Sequence, residues 1–203
     1  MKLAEAPARR TGRPLSFDRD AALDAAMRLF WQYGYEATSV AELTQAMRIT
    51  PPSLYTAFGD KGGLFRAAVD RYLQGGKAVP EIIDSAPTAR DAAANLLRAA
   101  ALGDTGDDTP AGCLLASSLV IASPAAADIR EELATIRRDI EARLRLRIES
   151  DVATGALPPA TDADALAGHV LAVIQGMSTL AKDGAGRDKL LRIVDMAMAC
   201  WPA

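Results

Sequence analysis

Ile49-Thr50-Pro51-Pro52-Ser53-Leu54-Tyr55-Thr56-Ala57-Phe58-Gly59-Asp60-Lys61 is the stretch that decides how the chain begins to fold. Thr50 is a good N-cap, because a side-chain oxygen just ahead of a helix accepts from its unpaired N–H groups. Pro51 follows at the first helical position, where its missing N–H costs nothing. Leu54, Tyr55 and Phe58 make an apolar side, and Gly59 stops the helix early. Asp60 then caps a further helix from Lys61 to about Gln74, with Leu64, Phe65, Ala68, Val69 and Tyr72 in phase and Gly75-Gly76 as its stop.

Upstream, Ser39 and Glu42 have capping-box spacing and open a short helix through Val40, Leu43 and Met47. It breaks within Met47-Arg48-Ile49-Thr50. A longer helix precedes it, starting near Ser16 or Asp18, with Ser16 as a candidate N-cap. Its apolar positions are Ala22, Ala26, Leu29, Phe30 and Tyr33, and Gly34 ends it. Two short helices on a tight turn, with a longer one on each side, form a helix-turn-helix arrangement. Ordinary bundle helices run nearer about 12 residues.

Composition sets the class. Half of the 203 residues are apolar and only 5% aromatic, with alanine throughout, which favours helix over strand. The expectation is an all-α soluble protein. Two cysteines, Cys113 and Cys200, make neither a disulfide framework nor a four-cysteine zinc site. His169 is the one histidine, so no HExxH motif exists and neither metal nor cofactor is expected. Residues 1–13 are basic with no apolar run behind them, which speaks against a secretory signal. The uncharged stretch 111–127 is broken by Pro124, carries Ser117, Ser118 and Ser123, and is shorter than the roughly 20 apolar residues of a membrane span. A cytoplasmic location without membrane contact follows.

Charge is uneven. Residues 1–76 hold ten Lys/Arg and eight Asp/Glu, whereas residues 77–203 hold thirteen and eighteen. Lys2, Arg9, Arg10 and Arg13 against Glu5 make the first sixteen residues basic. A polyanion partner at one end of the molecule fits this pattern, as would a solvated tail. We divide the chain into a basic flexible arm (1–15), a helix-turn-helix domain (16–76) and a second domain (77–203).

In the second domain, helices are expected over 88–102, 111–122 and from Pro124, capped by Ser123, to about Thr154. Leu166, Val170, Val173, Met177 and Leu180 give a seam of period near 3.5, repeated by Leu190, Val194, Met198 and Trp201. Such seams suit paired packing within one chain or across a dimer.

Together with Phe30-Trp31-Gln32-Tyr33-Gly34-Tyr35-Glu36-Ala37-Thr38-Ser39-Val40, the opening stretch resembles the DNA-binding region of the TetR family of bacterial transcriptional regulators. The glycine-aromatic turn, the Thr-Ser pair before the second helix and the Ser-Leu-Tyr-x-x-Phe-x-x-Lys string all follow the family's pattern. The likeness covers about 60 residues, from Gly12 to Leu73, and the rest is similar only in helical layout.

The resemblance implies a third helix lying in the major groove of a duplex. Thr50, Pro51, Ser53, Leu54 and Thr56 would then stand at the groove, with Pro51 and Pro52 offering apolar contact to thymine methyl groups. Tyr55 and Lys61 match phosphate-gripping positions. Thr38 and Ser39 lie at a helix N-terminus, a natural phosphate site. Arg13, with Arg9 and Arg10, would enter the minor groove. Arg48 stands where the family often has glycine, so either a left-handed backbone is expected there, its cost of about 1 kcal/mol offset by a guanidinium contact to phosphate, or the turn geometry differs from the family's. Gly62-Gly63 replaces better helix formers and is expected to loosen the first turn of the fourth helix.

The resemblance further implies a homodimer through 161–182 and 187–201, reading a palindromic operator. It also implies a cavity for a small apolar or aromatic effector, and Leu97, Cys113, Ser117, Ile174 and Met177 are the expected walls. An alternative signal is oxidation or alkylation of Cys113, whose thiol would be acidified at a helix N-terminus with Lys182 as cationic partner. His169 is expected to be a packing residue, and Cys200 core or interface. An all-α enzyme or carrier is the rival reading. His169 would have to meet Cys113 for most histidine-dependent catalysis, and Gly75-Gly76-Lys77 is not a phosphate loop. Activation in place of repression also stays open.

Overall fold

The computed structural model describes residues 17–75, 79–117 and 126–202, and every regular element among them is helical. In chain order these are α1 (Arg19–Ala37), α2 (Val40–Met47), α3 (Pro51–Phe58), α4 (Lys61–Gln74), α5 (Val79–Asp84), α6 (Ala89–Gly103), α7 (Leu114–Ser117), α8 (Ala127–Ala153), α9 (Ala163–Lys182) and α10 (Arg187–Ala199).

The helix starts follow their capping residues. Asp18 accepts from the N–H groups of Asp20 and Ala21 and opens α1. Ser39 and Glu42 cap α2 reciprocally, Thr50 caps α3 with Pro51 behind it, and Asp60 accepts from Gly63 N at 2.7 Å to open α4. Ser16, the basic arm with Arg9, Arg10 and Arg13, and the Ser123-Pro124 start expected for α8 lie outside the described residues.

Three expectations change. Helix α5 has no forecast in the sequence, being only six residues long. α7 begins at Leu114 and not at 111, and it is described to Ser117; the remainder of the expected stretch 111–122 beyond it lies outside the described residues. Tyr33 is 57% exposed, and Trp31 is buried in its place, because the Trp31 indole N–H donates to Gly112 O at 2.5 Å. Gly34 does break α1, at φ 81° and ψ 172°.

The interior is two clusters. One is built from α1–α4 around Phe30, Leu43, Leu54, Leu64 and Phe65, and it also takes in Leu114, Leu115, Ile129 and Leu133. The other joins α5, α6, α9 and α10 to Leu144 and Ile148. The 27-residue α8 therefore gives its first half to one cluster and its second half to the other. At 1.5 Å per residue it spans about 40 Å.

Charged pairs pin the elements. Arg66 on α4 donates to both carboxylate oxygens of Glu132 on α8 at 2.9 and 2.8 Å, and Arg71 grips Asp24 on α1. Asp151 on α8 accepts from Ala89 N at 2.6 Å, supplying a buried acceptor to the first turn of α6.

Candidate nucleic-acid interface

Leu54 is wholly buried among α1, α2 and α4 side chains. It therefore fixes how deep α3 sits and does not reach a duplex, which corrects its place among the contact residues. The opposite side of α3 is open. Thr50, Pro51, Pro52, Tyr55 and Thr56 are exposed and Ser53 is half-buried. The Tyr55 ring stands 50% exposed with no core role.

The hydroxyls on this face have defined chemistry. Thr50 Oγ1 and Ser53 Oγ are 2.9 Å apart, one hydroxyl donating to the other. Thr56 Oγ1 donates to Pro52 O at 2.8 Å, so what it turns outward is acceptor lone pairs. Acceptors of that kind suit the exocyclic amines of adenine and cytosine in the major groove.

At the head of α2, Ser39 Oγ accepts from Glu42 N at 3.2 Å and donates to Glu42 Oε2 at 2.7 Å. The Ser39 bonds hold the Glu42 carboxyl below the usual carboxylate range. Thr38 is 1% exposed and its hydroxyl donates to Gly34 O at 2.7 Å. Its side chain is thus a bolt inside the turn and not a phosphate ligand.

Arg48 is the one positive-φ residue other than glycine among the described residues, at φ 54° and ψ 41°. It ends α2 in the left-handed conformation, its N–H bonding to Gln45 O and Thr44 O, and its side chain is exposed beside α3. Lys61 lies with its ammonium 4.4 Å from the centre of the Tyr35 ring. Burial lowers its pKa, opposed by Glu36 and Glu42. Of the two glycines after it, Gly63 has a packing role. A Cβ on Gly63 would fall 2.1 Å from Phe58 O, so this residue lets α4 start hard against the end of α3.

Comparison with known proteins bears on this geometry. Residues 22–68 match bacterial regulatory proteins of the tetR family, and residues 91–194 match the Tetracyclin repressor-like C-terminal domain. The chain belongs to the TetR family. It is 40% identical to the HTH-type transcriptional repressor ComR of Escherichia coli over 94% of this chain and 92% of ComR. It is 38% identical to the repressor BdcR of the same organism over 58% of this chain and 60% of BdcR. A TetR-family regulator, CifR, solved as a cysteine mutant with 26-base-pair operator DNA, shares 42% identity and a TM-score of 0.88, over 94% of this chain and all of that one.

In this TetR-family chain the two clusters meet at residues 104–113. Gly112, at φ 79°, donates its N–H to Asp104 O at 2.9 Å and receives Trp31. A Cβ there would lie 2.9 Å from Ser178 O and 2.8 Å from Lys182 Cγ. Cys113 N donates to Ser178 Oγ at 2.7 Å, Arg28 Nη1 donates to Asp108 O at 2.5 Å, and Lys182 Nζ donates to Trp31 O and Gln32 O at 3.3 and 3.4 Å. The sequence reading passed over Trp31, Asp104 and Gly112, since only their folded neighbours reveal the joint.

Cys113 requires a correction. Burial pushes its thiol pKa up and outweighs the hydrogen bond from Tyr72 Oη at 3.3 Å. Lys182 acts on the thiol electrostatically but spends its hydrogen bonds on α1.

The five expected cavity walls fall in both clusters. Leu97 and Met177 are buried in the second with Ile174 packed against it, while Cys113 packs against the first and Ser117 donates its hydroxyl to Cys113 O. A groove of about 450 Å³ lies at the far end of α9, lined by Pro158, Leu166, His169 and Cys200. His169 and Cys200 are exposed, so neither packs in the core. No group of metal-ligating side chains occurs among the described residues, and no described helix is long and apolar enough to cross a membrane.

Proposed function

We propose that the chain is a homodimeric repressor that reads a palindromic operator in double-stranded DNA and is released by a small apolar or aromatic effector. One observation carries the DNA reading: the polar, exposed face of α3 stands on a wholly buried Leu54, with both ends fixed by caps. On this reading a short, capped helix presents Thr50, Pro51, Ser53 and Thr56 to base edges and Tyr55, Arg48 and Lys61 to phosphates, whereas Ser39 spends its N–H and its hydroxyl on Glu42 and serves as the cap of α2. ComR and BdcR are described as repressors, and CifR was solved on operator DNA, which supports the same role.

The dimer reading rests on α9, whose exposed side carries Ala165, His169, Ala172, Gly176 and Thr179, next to exposed Met196 and Ala199 on α10. Small residues in a row let a second helix approach closely. Two copies then set the spacing of two recognition helices, and an effector that favours another spacing lifts repression.

Footprinting of the DNA flanking the gene at two salt concentrations tests the reading. A protected palindrome that weakens as salt rises is expected. Tyr55→Phe combined with Lys61→Ala should lower the dependence of log affinity on log salt by about 1–2, as phosphate contacts are lost. Duplex affinity unchanged in that double variant would refute the assignment.

A second reading is favoured by position: Cys113 sits in the joint, touching Tyr72 on α4 and Ser178 on α9. Alkylation of its sulfur would part those elements. Operator release by a thiol reagent that persists in Cys200→Ser and vanishes in Cys113→Ser would establish it.

A further inference from the structure

Asp104 ends α6, its N–H bonding to Ala100 O at 2.8 Å, and it is only 3% exposed. Its Oδ2 is buried without a hydrogen-bond partner. An unpaired carboxylate in such a place is unfavourable as an anion, and burial pushes its pKa up to about 7. Opposing that, the ammonium of Lys182 on α9 favours ionisation. In the present arrangement this ammonium donates to two carbonyls of α1 shortly before Gly34's turn, those of Trp31 and Gln32.

The other groups around the carboxyl are accounted for. Tyr72 from α4 and Cys113 at the head of α7 face it, and burial pushes the pKa of both upward, so both stay neutral near pH 7. Arg187 from α10 donates to Thr105 O at 2.8 Å and lies 4.0 Å from Asp107. Arg28 from α1 is taken up by Asp108 O.

We propose that Asp104 and Lys182 form a proton-operated latch between the second domain and α1. With Asp104 neutral, Lys182 stays on the Trp31 and Gln32 carbonyls and α1 is held. With Asp104 ionised, its proton goes to solvent, the ammonium turns to the carboxylate and the end of α1 is released. No other bond changes.

The sign follows from linkage. Because the pKa of Asp104 is raised in the latched arrangement, that arrangement is favoured in acid. It is progressively lost as pH rises from the ordinary carboxylate range to about 7, and nothing further changes above that. The end of α1 leads through the Gly34 turn into α2 and α3, so its release loosens the seating of the recognition helix. Ionisation therefore weakens operator binding, a consequence that rests on the DNA reading, whereas the latch itself does not.

Trp31 is the reporter, since its indole N–H and its carbonyl both belong to the joint. In the full-length chain carrying Trp201→Phe, Trp31 emission is followed from about pH 5 to about pH 9, with circular dichroism at both ends to show that the helices persist. A single transition completed near neutrality is expected. Asp104→Asn should fix emission at its acid value and Lys182→Met at its alkaline value. Flat emission, or a transition that survives Asp104→Asn, overturns the latch. Affinity for a footprinted operator duplex should fall by up to about tenfold per pH unit over the same window and stay level in Asp104→Asn. A flat wild-type affinity would overturn the latch as a control on DNA. Absence of duplex binding at every pH, with the emission change intact, would condemn the DNA reading and leave the latch standing.

Discussion

Replacing Gly63 by alanine adds one carbon that lands 2.1 Å from the Phe58 carbonyl oxygen, well inside any contact a real Cβ makes. The atom it meets is backbone, at the end of α3, and cannot rotate away. Either α4 must back off from α3 or α3 must tip. Overpacking of this kind costs about 3 kcal/mol when the surroundings do not yield. Alanine returns about 1 kcal/mol of helix propensity over glycine, so the net loss is about 2 kcal/mol. For a chain of this length that corresponds to a melting point lower by about 4–8 °C. Gly62→Ala is the matched control. Its Cβ meets only side-chain ends, Asp60 Oδ1 at 3.2 Å and Arg66 Nη1 at 3.3 Å, which can move. It should keep part of the propensity gain and melt at or above wild type. Thermal denaturation of the three proteins at one concentration decides the matter. If Gly63→Ala melts no lower than wild type, the close approach of α3 and α4 is wrong, and with it the account of how α3 is held.

Other consequences are as direct. Leu54→Ala should destabilise the first domain by about 2–5 kcal/mol, as a fully buried leucine does, and denaturant titration would read it. Arg48→Gly relieves a left-handed residue, so stability should rise by up to about 1 kcal/mol while duplex affinity falls, a split that separates strain from phosphate contact. Iodoacetamide near neutral pH should label exposed Cys200 ahead of Cys113. Because burial raises the Cys113 pKa, its labelling rate should still be climbing where an ordinary thiol has levelled off, as peptide mapping across alkaline pH would show.

Much of the first domain was legible because its helix boundaries are written in adjacent residues. Thr50 with Pro51, Ser39 with Glu42, and Asp60 each satisfy N–H groups within three or four positions, and such local devices survive in a bare sequence. Arg48's left-handed backbone was legible only through the family resemblance, whose pattern often has glycine there. What failed depended on distance. Leu54 and Tyr55 are neighbours in an apolar pattern, and only the packing of α1, α2 and α4 shows that one is sealed and the other open. Thr38 looks like a second Ser39 until Gly34 O is found beneath it. Cys113 stands just ahead of a helix, yet burial in the folded chain reverses the expected shift and outweighs the hydrogen bond from Tyr72, 41 positions away.

The division of α8 between two interiors bears on how freely this regulator's reading head can be exchanged. A chimera joined near residue 76 would carry α1–α4 away from Leu114, Leu115, Ile129 and Leu133, which complete their cluster, and from Glu132, the partner of Arg66. A foreign head grafted on the same boundary would meet those four side chains with the wrong counterparts. Any successful exchange has to import the first half of α8 and the α7 turn along with the head, or rebuild that seam residue by residue. The unit of inheritance is thus the head with its seat, even though the seat lies some forty residues further along the chain.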